Sequence, residues 1–107
     1  MSNKKYSLSI CIFVLCYSIG VQAANHYIRS GSSGDGSDWS QAFGQIPDNL
    51  VRGDTYYIAD GSYGLYNFND PESGTTQITL KKATTDDHGT DSGWDSSYGD
   101  GLAIFEE

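Results

Sequence analysis

The sequence predicts an all-β protein built as a parallel β-helix, a solenoid in which short strands stack in successive coils. Three strand-like runs carry this prediction: YYIA at 56–59, ITLK at 78–81 and LAIF at 102–105. They begin 22 and 24 residues apart, with turn-rich sequence between them. A period of about 20–50 residues with one short strand per repeat is typical of a solenoid. Because the third run is barely formed at the end of the sequence, we expect an incomplete fragment with the first two to three coils.

The first 23 residues predict a signal peptide, which directs the protein to the periplasm or the extracellular space. Two early lysines precede an apolar stretch over about 8–21, and small residues follow at the positions that signal peptidase reads. This stretch is interrupted by polar residues and is shorter than the roughly 20 residues that span a bilayer. We therefore expect cleavage after Ala23, with Ala24 as the alternative, and no membrane attachment afterwards.

Removal of the signal peptide would leave a strongly acidic chain without cysteine. The formal net charge of the 107 residues is −8, and the loss of Lys4 and Lys5 lowers it to −10. This charge excludes nucleic acid and anionic membrane surfaces as partners, because phosphate binding needs basic side chains. Both cysteines lie in the signal peptide, so no disulfide is expected despite the oxidising destination. Aromatic residues would then have to form much of the core.

The region before the first repeat predicts a cap that covers the end of the solenoid. Residues 25–29 form a candidate opening strand, and a Gly/Ser/Asp-rich loop follows. Phe43, Ile46 and Leu50 recur at steps of three and four, which is helical spacing. Pro47 suits the first turn of a short helix there. Solenoid ends need such a polar-faced element.

The strands of the predicted coils suggest one shared inward face. Alternation along each strand would place Ile58, Leu80 and Ile104 in an aliphatic ladder. The connecting segment 84–101 carries five aspartates among several glycines. We expect this segment to lie on the surface.

Three motifs resemble the entrance of the pectin-lyase-like right-handed β-helix superfamily. These motifs are SDWSQAF at 37–43, LVRGDTY at 50–56 and ADGSY at 59–63. In that superfamily a GDT turn leads into the first strand, and a G-x-Y turn leaves it. The resemblance implies that 24–107 form the amino-terminal part of a right-handed parallel β-helix domain. The cap with its short helix would span about 25–52, and the coils about 53–107.

The resemblance also implies a secreted carbohydrate-active protein with a polysaccharide as partner. Superfamily members include polysaccharide lyases, glycoside hydrolases and adhesins, whose active residues lie on central coils that this chain does not reach. We therefore expect the first part of a lyase or hydrolase that is not catalytic by itself, and we assign no catalytic or cofactor-binding residue. One alternative is a non-enzymatic secreted surface, matrix or glycan-binding protein, in which Tyr57, Tyr63 or Trp94 stacks on sugar rings. The other is an inactive truncated relic.

Two acidic stretches are weighed as calcium sites, since Ca²⁺ binds six to eight oxygen ligands. The first is GDGSD at 34–38, and the second is the loop 84–101. Neither has EF-hand spacing, so we expect solvated turns in which aspartate bonds its own backbone. A weak Ca²⁺ site is the alternative, and its ligands are not assigned.

The histidines, lysines and one tripeptide complete the candidates. His88 lies beside Asp87 and three residues before Asp91, but no nucleophile or third ligand is near in sequence, so we expect a loop histidine. His26 is the only other histidine in the sequence. Lys81 and Lys82 are adjacent in a strand and point to opposite faces, so they are not expected to form the base and cation of one lyase site. RGD at 52–54 matches a cell-adhesion tripeptide, and we expect a turn there instead.

Overall fold

The computed structural model describes residues 23–72 and 74–106, in which five short strands form two small parallel sheets. The elements are strands β1 (Asn25–Ile28), β2 (Thr55–Ile58), β3 (Gly61–Ser62), β4 (Thr79–Lys82) and β5 (Ala103–Ile104), with one 3₁₀ turn over Ser96–Tyr98. The predicted signal peptide lies outside these residues, except for Ala23. Within the described ranges, no helix has the length and apolar character that crossing a membrane requires.

Strand β2 is the centre of the larger sheet, which has the order β1-β2-β4. Ile58 of β2 lies opposite Ile28 of β1 and Lys82 of β4, and both pairings are parallel. The aromatic and β-branched residues of β2 favour such a pleated, packed position. The smaller sheet joins β3 to β5, with Gly61 opposite Ala103.

Both faces of the larger sheet are buried, and alternation along the strands separates them into two clusters. The aromatic face consists of Tyr27, Trp39, Ala42, Tyr57, Ala59 and Ala83, with Trp94 and Tyr98 packed at its rim. The aliphatic face has Ile28, Ile46, Tyr56 and Ile58 at its centre. The core is therefore continuous through the sheet rather than enclosed on one side of it.

The predicted right-handed parallel β-helix is wrong. The described residues form a small compact globule whose strands have two to four residues, and no stack of coils is present among them. The wall of a solenoid turns one face outward, whereas here the segments on either side of β2 fold back over both faces of the sheet. The predicted ladder also fails at Ile104, which belongs to the smaller sheet, pairs with Ser62 and remains 39% exposed.

The predicted short helix that begins at Pro47 is also absent from the described residues, where this segment has no regular structure. Ile46 is buried against the aliphatic face, and the hydroxyl of Tyr66 donates a hydrogen bond to the Pro47 carbonyl (2.6 Å). The Val51 amide donates to the hydroxyl of Tyr56 (2.9 Å). Tyrosine hydroxyls thus satisfy backbone groups that a helix would have paired internally.

The outer edge of β1 is covered by the segment that follows it. The Phe43 amide donates to the Tyr27 carbonyl (2.8 Å), and the Arg29 amide donates to the Phe43 carbonyl (2.8 Å). Gly36 takes a positive φ of 83° at the turn that makes this return possible, and its carbonyl accepts from the Tyr27 amide (3.0 Å). This segment satisfies an edge that would otherwise be open to pairing with other chains.

The segment 84–101 lies at the surface, as expected, and it also packs against the aromatic face. The indole Nε1 of Trp39 donates to the His88 carbonyl (2.9 Å), and the Thr90 amide donates to the Tyr27 hydroxyl (3.0 Å). These bonds hold the segment over the aromatic face, where it contributes Trp94. Most of its other side chains are exposed.

Candidate functional site

A cleft of about 400 Å³ opens where two irregular segments and the end of β5 meet. We call it the amide cleft. Its ten lining residues are Gln45, Ile46, Asp48, Asn49, Tyr63, Leu65, Tyr66, Asn67, Asn69 and Phe105. They combine four side-chain amides with three aromatic rings, and the cleft is large enough for part of a small ligand.

The Tyr63 side chain is held rigidly at one wall of the cleft. Its hydroxyl donates to the Ala59 carbonyl (2.7 Å) and accepts from the Ser30 amide (3.1 Å). Its ring stacks on Phe105, with centroids 5.2 Å apart and planes at 23°. Burial raises the pKa of the Tyr63 phenol, so it remains a neutral donor. The wall therefore presents a fixed aromatic surface.

Tyr66 joins the two segments that form the cleft. Its hydrogen bond to the Pro47 carbonyl ties residues 63–69 to residues 45–49. Its ring meets Phe68 edge to face, at 4.5 Å between centroids. Burial, followed by the nearby carboxylates of Asp70 and Asp48, raises the pKa of the Tyr66 phenol. This tyrosine is consequently a structural and aromatic group rather than a base.

The four amides of the cleft are exposed, and none of their side chains hydrogen-bonds another residue in the described part of the chain. They belong to Gln45, Asn49, Asn67 and Asn69. Each amide offers both donors and an acceptor. A ligand with many hydroxyl groups has the matching chemistry, since each hydroxyl also donates and accepts.

The charge of the cleft restricts which ligand it suits. No lysine or arginine is among its lining residues, and Asp48 is the one carboxylate among them. An anionic ligand would meet this carboxylate without a compensating cation. Hydrolysis by the common two-carboxylate mechanism needs a second acid about 5–10 Å from the first. The lining therefore suits an uncharged polar ligand better than an anionic one.

The RGD tripeptide is part of the fold rather than an exposed recognition loop. The Arg52 guanidinium donates to the carbonyls of Pro71 (2.6 Å) and Thr76 (3.1 Å). Gly53 has a positive φ of 95°, which a turn into β2 requires. Asp54 is only 6% exposed, so its carboxylate is not available to a partner protein.

The two histidines do not form a common site, because each is engaged separately. His26 Nε2 lies 2.7 Å from Asp54 Oδ2, and its ring stacks on Tyr56 with centroids 4.6 Å apart. His88 Nε2 lies 2.8 Å from Asp91 Oδ1, and its ring stacks on Trp94 at 3.9 Å.

The polar partners of His88 favour the protonated, positively charged form of its ring. Its Nδ1 also bonds the Thr84 carbonyl (3.0 Å), so both ring nitrogens face acceptors. Burial of the ring opposes the charge, but the bonds to Asp91 and Thr84 outweigh it and raise the pKa of His88. Asp87, the residue before His88, instead contacts Lys81 and Tyr57.

The two lysines lie against different carboxylates. Lys81 Nζ is 2.8 Å from Asp87 Oδ2, whose other oxygen accepts from the Tyr57 hydroxyl (3.0 Å). The Lys81 ammonium, together with the Tyr57 hydroxyl, lowers the pKa of Asp87. Lys82 pairs with Asp60 and donates to the Ala83 carbonyl (2.8 Å). Each lysine is thus neutralised locally on the edge strand.

The acidic stretches form turns stabilised by their own carboxylates. Asp35 Oδ1 accepts from the Ser37 amide (3.0 Å) and hydroxyl (2.6 Å). Asp95 makes the same pair of contacts with Ser97, at the start of the 3₁₀ turn. Among residues 23–72 and 74–106, no group of three or more histidine, cysteine, aspartate or glutamate side chains is arranged to hold a metal ion. The weak calcium site therefore gains no ligand set from these residues.

The three aromatic residues considered for sugar stacking have different environments. Tyr57 is 8% exposed within the aromatic face, and Trp94 is half-buried against His88 and Trp39. Tyr63 lines the amide cleft.

Most of the cleft was missed at the sequence level, including all four amides, Tyr66 and Phe105. The run YNFN at 66–69, in which aromatic residues alternate with asparagines, is the signal that could have indicated it. Nothing in the sequence indicates that this run faces residues 45–49.

No family model matches the chain, and the comparisons with curated proteins and with solved structures gave no match. The resemblance to the pectin-lyase-like superfamily therefore stays a prediction from three motifs, and the fold that it implied is not the one observed.

Proposed function

We propose that this protein is a secreted, non-enzymatic glycan-binding protein that holds an uncharged oligosaccharide in the amide cleft. The observation that carries the proposal is the cleft lining, in which four amides that bond no other side chain or backbone group of the described residues adjoin the Tyr63–Phe105 stack. Sugars need both elements, because hydroxyl groups hydrogen-bond to amides and the C–H faces of the ring pack on aromatic surfaces. The proposal retains the predicted carbohydrate partner but does not depend on the β-helix fold.

The charge distribution supports a neutral glycan rather than a polyuronate. The chain carries 14 acidic residues against 6 basic ones, and no basic side chain lines the cleft. A pectate-like ligand would be repelled at long range and would find no cation at the site. Binding should therefore change little with salt, since it involves no ion pair.

Binding without turnover is the activity that the lining residues support. Asp48 could accept a proton from a sugar hydroxyl, but no second carboxylate lines the cleft to complete a hydrolytic pair. A lyase would also need a cation beside the uronate carboxylate. Lys81 and Lys82, which were weighed for that role and not expected to fill it together, are paired with Asp87 and Asp60.

The test is a screen of neutral and acidic oligosaccharides against the purified full chain, followed by calorimetry on those that bind. Asn67→Ala and Asn69→Ala should each weaken binding by about fivefold, because a net hydrogen bond contributes roughly 1 kcal/mol. Gln77→Ala, which removes an exposed amide outside the cleft, is the matched control and should leave the affinity unchanged.

Phe105→Ala tests the aromatic wall in the same assay. It should reduce affinity more than Leu102→Ala, a control at a 74% exposed apolar residue outside the cleft lining. Binding restricted to acidic glycans, or variants that bind as well as the wild type, would contradict the proposed site. New reducing ends or unsaturated uronates formed during incubation would contradict the non-enzymatic function.

A further inference from the structure

Asp54 is a buried carboxylate that binds the first residues of the described chain. Its side chain is among the least exposed polar groups, with 6% of the residue accessible. Oδ1 accepts from the backbone nitrogen of Ala24 (3.0 Å), while Oδ2 contacts His26 Nε2 (2.7 Å). The Ala24 carbonyl accepts from the Thr55 amide (3.0 Å). Ala24 is therefore fixed through both of its polar backbone atoms.

A backbone amide donates a hydrogen bond to a buried carboxylate but brings no opposite charge. A buried charge is costly unless it is paired, and an ammonium group would supply both a donor and the opposite charge. The other titratable side chains at this carboxylate are His26 and Tyr56, whose rings stack on each other. The nitrogen bound by Oδ1 belongs to the residue that directly follows the predicted cleavage site.

We propose that cleavage of the Ala23–Ala24 bond converts the nitrogen of Ala24 into the ammonium partner of Asp54. Hydrolysis by a signal peptidase consumes one water molecule and leaves the new carboxylate on Ala23 of the released peptide. The new amine on Ala24 takes up a proton at neutral pH, since α-amino groups have pKa values of about 7.7–8.0. Ala23 and Ala24 are both exposed, so the bond is accessible.

Processing would thus complete the fold, because an ion pair replaces a hydrogen bond from an uncharged amide at the start of the sheet. The ammonium should have a raised pKa in the folded protein, as expected beside a carboxylate. Its stabilising contribution is then fully present below the unfolded pKa and is lost as pH rises through the folded pKa. No residue of the amide cleft takes part, so this proposal and the proposed function can fail separately.

The first experiment is to express the full chain in a secreting host and to determine the mass and first residue of the exported protein. A product that begins at Ala24 is expected. A product that begins at Asn25 or elsewhere, or that retains its first 23 residues, would overturn the proposal.

The second experiment measures the pKa of the α-amine on that product by competitive acetylation across pH, with Lys81 and Lys82 as internal references. The folded protein should show a pKa above the value found in concentrated urea, and each unit of difference lowers the reactive amine about tenfold. Equal values in the folded and unfolded states would overturn the ion pair. This comparison needs no variant.

Asp54→Asn then tests the assignment of the partner. It should return the α-amine to its unfolded pKa, whereas Asp86→Asn, at an exposed aspartate, should leave the raised value unchanged. A raised pKa that persists in Asp54→Asn would show that another group binds the amine. If Asp54→Asn does not fold, the comparison of folded with unfolded wild type still decides the proposal.

Discussion

Replacing Trp39 by phenylalanine tests whether segment 84–101 closes over the aromatic face. Trp39 is fully buried, and its Nε1 donates to the His88 carbonyl (2.9 Å). Phenylalanine buries roughly 50 Å² less surface, a loss of about 1.2 kcal/mol at ~25 cal/mol/Å². The lost hydrogen bond adds about 1 kcal/mol. Trp39→Phe should therefore lower the free energy of unfolding by about 2–3 kcal/mol once a small cavity is included.

The control is Trp94→Phe at the rim of the same face. Trp94 is half-buried, and its ring nitrogen bonds no other residue in the described part of the chain, so the loss should stay below about 1 kcal/mol. Urea unfolding followed by far-UV circular dichroism measures both variants, with an expected fall in midpoint of about 1–2 M for Trp39→Phe. Equal losses for the two variants would refute the packing of Trp39 beneath this segment.

Two other perturbations address single contacts. The free energy of unfolding should fall as pH rises through the raised pKa of His88, because imidazolium bonds Asp91 best below its unfolded pKa of about 6.5. Urea titrations across about pH 5–9 should show this loss, and His88→Gln should remove it; a variant with the same pH dependence would exclude His88 as its origin. Gly36→Ala should destabilise the fold by more than Gly64→Ala. Both glycines have positive φ (83° and 78°), but only at Gly36 would the new Cβ overlap a side chain, the ring of Phe43. Equal midpoints in thermal unfolding would contradict that close packing.

The position of the strands could be predicted from local sequence, but their assembly could not. The runs at 56–59 and 78–81 overlap β2 and β4 within one residue at each end, because β-branched and aromatic residues with turns on both sides are a local signal. Even spacing suggested identical coils. The large aromatic residues between the strands favour a compact globule instead, because Trp39 is buried only when a second layer covers β1 and β2.

The helical spacing of Phe43, Ile46 and Leu50 also had a different cause. All three contact the aliphatic face from an irregular segment, so an apolar pattern arose from tertiary packing rather than from a helix. Phe43 instead forms a parallel bridge to Ile28 at the edge of β1. Propensity is weak over such a short stretch, and packing against the sheet outweighs it.

The cleft was the least predictable part of the molecule. Its amides come from two segments about 20 residues apart, and neither segment has regular structure. The Tyr66 hydroxyl links the two segments by a hydrogen bond to the Pro47 carbonyl. No sequence periodicity predicts this contact. By contrast, the separation of Lys81 from Lys82 follows from strand geometry alone, and the structure places them on different carboxylates.

The most direct test of a glycan site in the amide cleft is a ¹H–¹⁵N correlation titration of the full chain with neutral oligosaccharides, observing the side-chain amide signals. The paired NH₂ signals of Gln45, Asn49, Asn67 and Asn69 should shift together as the cleft fills, while those of Gln77 stay in place. Shifts confined to other parts of the chain, or no shift with any neutral glycan, would contradict a glycan site in the amide cleft.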